Sequence, residues 1–196
     1  DERARAARAL PAVGRRRTLL RAALRHVLGG ALGVPARDVP IAVDDGRPYL
    51  VGPAGHPDLR FSCSASEGIG LIALADSALL GIDVERHRDE HALEAFADGW
   101  LTATEVRTVA GLPTADRLRA VTRCWTQKEA VLKACGVGLR RDPGTVETPV
   151  SVTGRSGEWT LAPVAVPEGF VASLAVRTTS PLPAVPVIEL HPGALR

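Results

Sequence analysis

The chain has 196 residues, is 45% hydrophobic and 23% charged, and carries a net charge of +2. That length suits one large domain or two small ones around a buried core, and the composition excludes disordered and fibrous classes. No apolar run approaches the roughly 18 residues of a membrane span. The N-terminus has no signal-peptide-like apolar stretch, so a cytoplasmic protein with no membrane partner is expected. Cys63, Cys124 and Cys135 do not form a disulfide framework. On one continuous helix Cys124 and Cys135 would lie about 16 Å apart, too far to bridge, which fits a reducing compartment.

The first 25 residues hold eight arginines against Asp1 and Glu2, a net of +6 in a chain of +2. Such a block could meet phosphates, nucleic acid or an acidic protein, or be a solvated helix face. It contains no aromatic residue, which argues against a single-stranded nucleic-acid platform. Residues 15–29 follow, with Leu19, Leu20, Ala23, Leu24, Val27 and Leu28 on one helical side. Gly29-Gly30 should weaken or end that helix. Gly46-Arg47-Pro48 reads as a turn between short extended segments. Residues 59–64 and 69–75 are strand-like on either side of Glu67-Gly68, and residues 80–85 make another short strand.

Helices come next. Residues 90–98 are a candidate. Thr102-Ala103-Thr104-Glu105 is a capping-box sequence and should open a helix over 103–111, which Leu112-Pro113 breaks. A longer helix is expected over 114–135, ended by Gly136. Residues 146–153, 158–165 and 170–177 read as three strands, and the Pro-rich stretch from 181 as an irregular extension. The expected fold is mixed α/β, in two halves: residues 1–80, residues 81–178, and a tail over 179–196.

Two clusters carry the chemistry. In Gly81-Ile82-Asp83-Val84-Glu85, strand alternation puts Asp83 and Glu85 on one face and Ile82 and Val84 on the other. Adjacent carboxylates suit a hard cation such as Mg²⁺, although alternating acids on a solvated strand edge would look the same. The second cluster is Trp125-Thr126-Gln127-Lys128-Glu129-Ala130-Val131-Leu132-Lys133. It holds both lysines of a chain whose other cations are all arginine. At about 100° per residue, Trp125, Glu129 and Lys133 share one stripe. Lys128 falls in the apolar arc of Leu118, Val121, Leu132 and Cys135, where a cation must snorkel or meet an anion. Three carboxylates and two ammonium groups together suit a phosphate ester held through a metal. Neither a P-loop nor a Rossmann glycine motif is present, and no Cys/His spacing suggests zinc. His87 and His91 read as surface residues.

Gly81-Ile82-Asp83-Val84-Glu85, followed some 40 residues later by Trp125-x-x-Lys128-Glu129-Ala130-x-x-Lys133-x-x-Gly136-x-Gly138-Leu139, resembles the 4′-phosphopantetheinyl transferases of the larger, surfactin-synthetase-activating (Sfp) type. The arginine helix Arg15-Arg16-Arg17-Thr18-Leu19-Leu20, the Gly46-Arg47-Pro48 turn, Phe61-Ser62-Cys63-Ser64-Ala65-Ser66 and Trp100-Leu101-Thr102-Ala103-Thr104-Glu105 fit the same family in order. The resemblance implies a pseudo-dimer of two similar α/β halves, complete as a monomer, with coenzyme A and Mg²⁺ in its cleft. It implies transfer of 4′-phosphopantetheine to a serine of an acyl or peptidyl carrier protein of fatty-acid, polyketide or nonribosomal-peptide type, releasing 3′,5′-ADP. By motif position Asp83, Glu85 and Glu129 would hold Mg²⁺, and Glu129 would activate the serine. Lys133, with Lys128, would stabilise charge on the pyrophosphate. Arg17, Arg47 and Pro48 would contact the 3′-phosphate and adenine end, and Ser64 and Ser66 the phosphates. Arg3, Arg5 and Arg8 could reach the 3′-phosphate. Ala65 stands where the family has a histidine that binds coenzyme A phosphate. The competing readings are the short trimeric holo-acyl-carrier-protein synthase, whose protomer is about half this size, a catalytically silent coenzyme A binder, and an arginine-rich nucleic-acid-binding domain.

Overall fold

A computed structural model of the protein describes residues 11–44, 46–52, 58–87, 99–136 and 141–190. The expected helix over 90–98, His91 and the N-terminal Arg3, Arg5 and Arg8 lie outside them. The fold is mixed α/β, and the chain divides into two compact units, Asp1–Leu59 with Ile188–Arg196, and Arg60–Val187. The division thus falls near the start of the third strand, and residue 80 lies inside the second unit. Among the described residues no helix is long and apolar enough to cross a membrane.

In the first unit, helix α1 spans Pro11–Leu32 and is followed by a hairpin of β1 (Ile41–Asp44) and β2 (Arg47–Leu50). Leu24 and Leu28 are its buried anchors. Helix α1 runs through Gly29-Gly30, contrary to the stop read from sequence. A side chain at Gly29 would come within 2.8 Å of the Val34 carbonyl oxygen. Glycine is there to let the returning chain approach, and the Val34 amide bonds the Gly29 carbonyl at 3.0 Å. The stop comes at Gly33, whose φ of +68° suits glycine at a helix end. In the hairpin the turn centres on Gly46, so Arg47 and Pro48 belong to β2, paired with Asp44 and Val43.

The second unit holds the hairpin β3 (Leu59–Ser66) and β4 (Ile69–Asp76), strand β5 (Leu80–Arg86), helices α2 (Ala103–Ala110) and α3 (Thr114–Ala134), and strands β6 (Gly154–Ser156), β7 (Trp159–Pro163) and β8 (Phe170–Arg177). The last three join β5 in an antiparallel sheet of order β5-β8-β7-β6. The capping box forms as read. The Glu105 amide bonds Thr102 Oγ1 at 3.2 Å, and Glu105 Oε2 accepts the Thr102 amide at 2.8 Å. Helix α3 ends before Gly136, whose φ is +79°.

No strand forms over 146–153, and β6 covers only Gly154–Ser156. Side chains from the helices take the backbone groups that a ladder would have used. Thr148 donates its amide to Glu105 Oε1, Arg123 donates to the Val150 carbonyl, and Gln127 donates to the Ser151 carbonyl. A buried backbone satisfied in this way has no need of a neighbouring strand.

Helix α3 lies on one face of the sheet, with Ala130, Val131, Leu132 and Ala134 packed on Trp159, Leu161 and Ala175. Leu80, Ile82, Val84, Ala172 and Leu174 cluster on the other face with Ile69, Leu71, Ala73 and Ala75 of β4, and Leu182 and Val185 of the Pro-rich stretch join them. Strand β3 reaches β5 through serine side chains. Ser62 Oγ accepts the Ile82 amide at 3.1 Å, and Ser66 Oγ accepts the Arg86 amide at 3.2 Å.

Helix and sheet approach closely at Gly81. A Cβ there would lie 2.0 Å from the Ala130 carbonyl oxygen and 2.6 Å from the Ala134 amide nitrogen. Both are backbone atoms and cannot swing aside. We therefore expect Gly81→Val to lower stability by about 3 kcal/mol, the upper end of the usual range for core overpacking, as measured by urea unfolding. A wild-type midpoint would show that α3 shifts freely on β5.

Candidate active site

The β5–α3 contact brings the two sequence clusters together. Gly81, Asp83 and Glu85 pair across the ladder with Ala175, Ser173 and Val171. The helix-facing side of this pair is marked by Gly81 against Ala130 and by Ser173 Oγ, 2.7 Å from Thr126 Oγ1. Asp83 is 3% exposed. Its Oδ1 accepts from Lys133 Nζ at 2.5 Å and from Ser64 Oγ at 2.7 Å, and Lys133 Nζ also reaches Ser64 Oγ at 3.0 Å. Glu85 Oε2 accepts from Ser66 Oγ at 2.8 Å. Ser64 and Ser66, read from sequence as phosphate contacts, hold the two acids in place here.

Glu129 completes the group electrostatically. Burial pushes its carboxyl above the usual range, the negative charges of Asp83 and Glu85 push it further, and Lys133 opposes them. Burial likewise raises Asp83 against the pull of Lys133. Asp83 Oδ2 and Glu129 Oε1 are buried and have no hydrogen-bond partner among the described residues. A buried carboxylate oxygen without a partner is costly, and a cation bound there would offset that cost. Among the described residues no three Asp, Glu, His or Cys side chains converge closely enough, as they stand, to hold a metal ion. The donor set nevertheless fits a hard divalent cation: three repelling carboxylates, two orphan oxygens and no soft ligand.

Lys128 sits elsewhere. It is completely buried, and its ammonium meets Glu105 Oε2 at 2.8 Å, the Pro143 carbonyl at 3.1 Å and the Val146 carbonyl. This corrects its reading as a phosphate ligand: it meets its anion inside the core. Glu105 is equally buried and gives its other oxygen to Thr148. Sequence reasoning found Glu105 only as a helix cap. The available signal was Lys128 itself, a cation in an apolar arc that must snorkel or meet an anion, but the sequence does not say that the anion is Glu105. Nearby, burial pushes the Cys124 thiol up to about 11, and among the described residues no disulfide joins Cys63, Cys124 or Cys135. Trp125 leaves the Glu129–Lys133 stripe to pack edge-on against Trp100, with ring centres 5.1 Å apart. Arg17 and Arg47 are exposed and Pro48 is half-buried, all in the first unit.

The family model of the 4′-phosphopantetheinyl transferase superfamily matches residues 79–159, which include β5, α2 and α3. The 4′-phosphopantetheinyl transferase HetI of Nostoc sp. (strain PCC 7120) is 32% identical over 182 residues, covering 90% of this chain and 77% of the relative. The 4′-phosphopantetheinyl transferase pptA of Paxillus involutus is 31% identical over 143 residues, covering 64% of this chain and 54% of the relative. The chain belongs to the 4′-phosphopantetheinyl transferase superfamily. It is a transferase of a family that uses coenzyme A and acts on carrier proteins.

Removing one partner of a buried pair leaves an uncompensated charge, typically at a cost of about 3–5 kcal/mol. Lys128→Met should therefore destabilise the protein by about that amount in denaturant unfolding. The double change Lys128→Met/Glu105→Leu should recover part of the loss, as a double-mutant cycle would read.

Proposed function

We propose that the chain is an Sfp-type enzyme that transfers 4′-phosphopantetheine from coenzyme A to a serine of an acyl or peptidyl carrier protein, with Mg²⁺ held by Asp83, Glu85 and Glu129. The observation that carries this reading is the pair of buried oxygens on Asp83 and Glu129, without a hydrogen-bond partner among the described residues, beside the Lys133 ammonium. Bound Mg²⁺ would neutralise pyrophosphate oxygens and polarise the phosphorus for attack.

The chain's own residues do the rest. Glu129, with its proton affinity raised by burial and by its acidic neighbours, takes the proton of the carrier serine, directly or through a water. The serine oxygen forms a bond to the phosphorus that carries pantetheine. The pyrophosphate bridge breaks, and its electron pair leaves on 3′,5′-ADP. Lys133 offsets the charge that builds on the phosphate oxygens. Ser64 and Ser66 fix the rotamers of Asp83 and Glu85, so that little reorganisation is needed at the moment of reaction. Arg17, Arg47 and Pro48 are assigned to the adenine and 3′-phosphate end on the family resemblance, and Ala65 leaves the histidine contact of that end to other groups. A monomeric, cytoplasmic enzyme serving fatty-acid, polyketide or nonribosomal-peptide carriers belongs to the same reading.

Incubation with coenzyme A, Mg²⁺ and apo carrier proteins should add one phosphopantetheine to the carrier, seen by intact-mass spectrometry. No gain across all three carrier classes would leave the silent coenzyme A binder as the better reading. Glu129→Gln should lower the rate by at least about 100-fold, the lower end for loss of a general base. Its raised carboxyl means that the charged form is disfavoured in the fold. The same variant should therefore melt at or above the wild-type temperature in metal-free buffer. A marked fall in melting temperature would mean that Glu129 is structural.

A further inference from the structure

A second site lies further along the β5–α3 seam. Where β5 ends, the N-terminal half of α3 and the segment joining β7 to β8 enclose a cavity of about 460 Å³. That volume is in the range of small-molecule sites. Val164 and Phe170 give it apolar walls, Arg119 and Arg123 give it cations, and Glu168 is the one carboxylate among the described lining residues; burial and the two arginines lower the proton affinity of the His87 imidazole beside them. Arg119 and Arg123 are one helical turn apart and so share a face of α3. Two guanidinium groups at that spacing repel each other, and the imidazole of His87 adds a third nitrogen base to the same wall.

The fold holds this wall in place. His87 donates its amide to the Gly169 carbonyl at 2.8 Å, and its Nδ1 lies 3.4 Å from Thr122 Oγ1. Arg123 donates to the Val150 carbonyl at 2.9 Å, which occupies one of its five N–H groups. Burial and the charge of Arg119 both hold the Arg123 guanidinium below its ordinary proton affinity, although Cys124 and Asp116 oppose them. A half-buried arginine beside a like charge is stabilised by an anion between them.

We infer that this cavity binds the phosphate group of a small phosphate ester, separately from the Asp83–Glu129–Lys133 cluster. Paired guanidinium forks match phosphate oxygens in geometry as well as charge, and the apolar walls can take the remainder of the ester. The inference does not rest on the transferase reading, because none of its residues belongs to that mechanism.

Inorganic pyrophosphate, titrated without divalent metal at constant ionic strength, is the probe. Binding should raise the melting temperature and broaden the ³¹P resonance. Both effects should persist in Lys133→Gln, which removes the cation of the catalytic cluster. Both should weaken at least tenfold in Arg119→Gln/Arg123→Gln, a variant whose circular dichroism and cooperative melting check that it is folded. Equal binding by wild type and the double arginine variant, loss of binding in Lys133→Gln alone, or no binding by the wild type would each overturn the assignment. Titration with 3′,5′-ADP then distinguishes two sources of the phosphate. Arginine-dependent binding assigns the site to the nucleotide of coenzyme A, and arginine-independent binding assigns it to a different ester.

Discussion

The backbone-to-backbone approach of α3 to β5 at Gly81 sets the geometry of everything around it. With no side chain at residue 81, the strand comes within contact distance of the Ala130 carbonyl and the Ala134 amide. Two residues along a strand advance about 6.7 Å, and four along a helix advance about 6 Å. Once the two backbones touch, alternate residues of β5 fall nearly in step with successive turns of α3. Asp83 then lies toward Thr126, within reach of the long Lys133 side chain from the turn beside Gly81, and Glu129 feels both Asp83 and Glu85. A thicker spacer would have kept the same residues and lost the cluster.

The helix carries two lysine–carboxylate pairs of opposite character. Lys128 and Glu105 are sealed in the core with their hydrogen bonds made to each other, to two carbonyls and to Thr148. Around Lys133 and Asp83 the carboxylates are not all matched: one buried oxygen of Asp83 and one of Glu129 have no hydrogen-bond partner among the described residues. Carboxyls raised by burial and by one another are what binding and catalytic sites tend to contain. The satisfied pair fixes the helix on which the unsatisfied one depends.

Much of this was legible in the sequence where a local rule fixes a local shape. The Thr102–Glu105 capping box, the glycine end of α3 and the alternation of Asp83 and Glu85 all work within a few residues. Spacing also placed Glu129 and Lys133 on one stripe. What failed depended on distant neighbours. Residues 146–153 have a strand-like pattern, but helix side chains that sequence alone cannot bring near take their backbone groups. Gly29 looked like a stop because its purpose, the approach of Val34, lies outside the helix. Lys128 reads as a phosphate contact from its motif, whereas its anion is Glu105, brought to it by the packing of α2. In a chain that otherwise uses arginine, a lysine there has a physical reason. Three buried acceptors surround one ammonium with three N–H groups, and a guanidinium would bring five donors and a larger plane into the same space.

The serines of β3 have one more effect. Strand β5 is the end strand of its sheet, and an end strand with open amides is a template on which another chain can add and aggregate. Here Ser62 and Ser66 cap the Ile82 and Arg86 amides with hydroxyls. The strand that carries the acidic pair is thereby closed to intruding strands without being locked into a continuous main-chain ladder. Replacing those hydroxyls by methyl groups would leave the acids in sequence but open that edge, so the cost would appear first as self-association during folding.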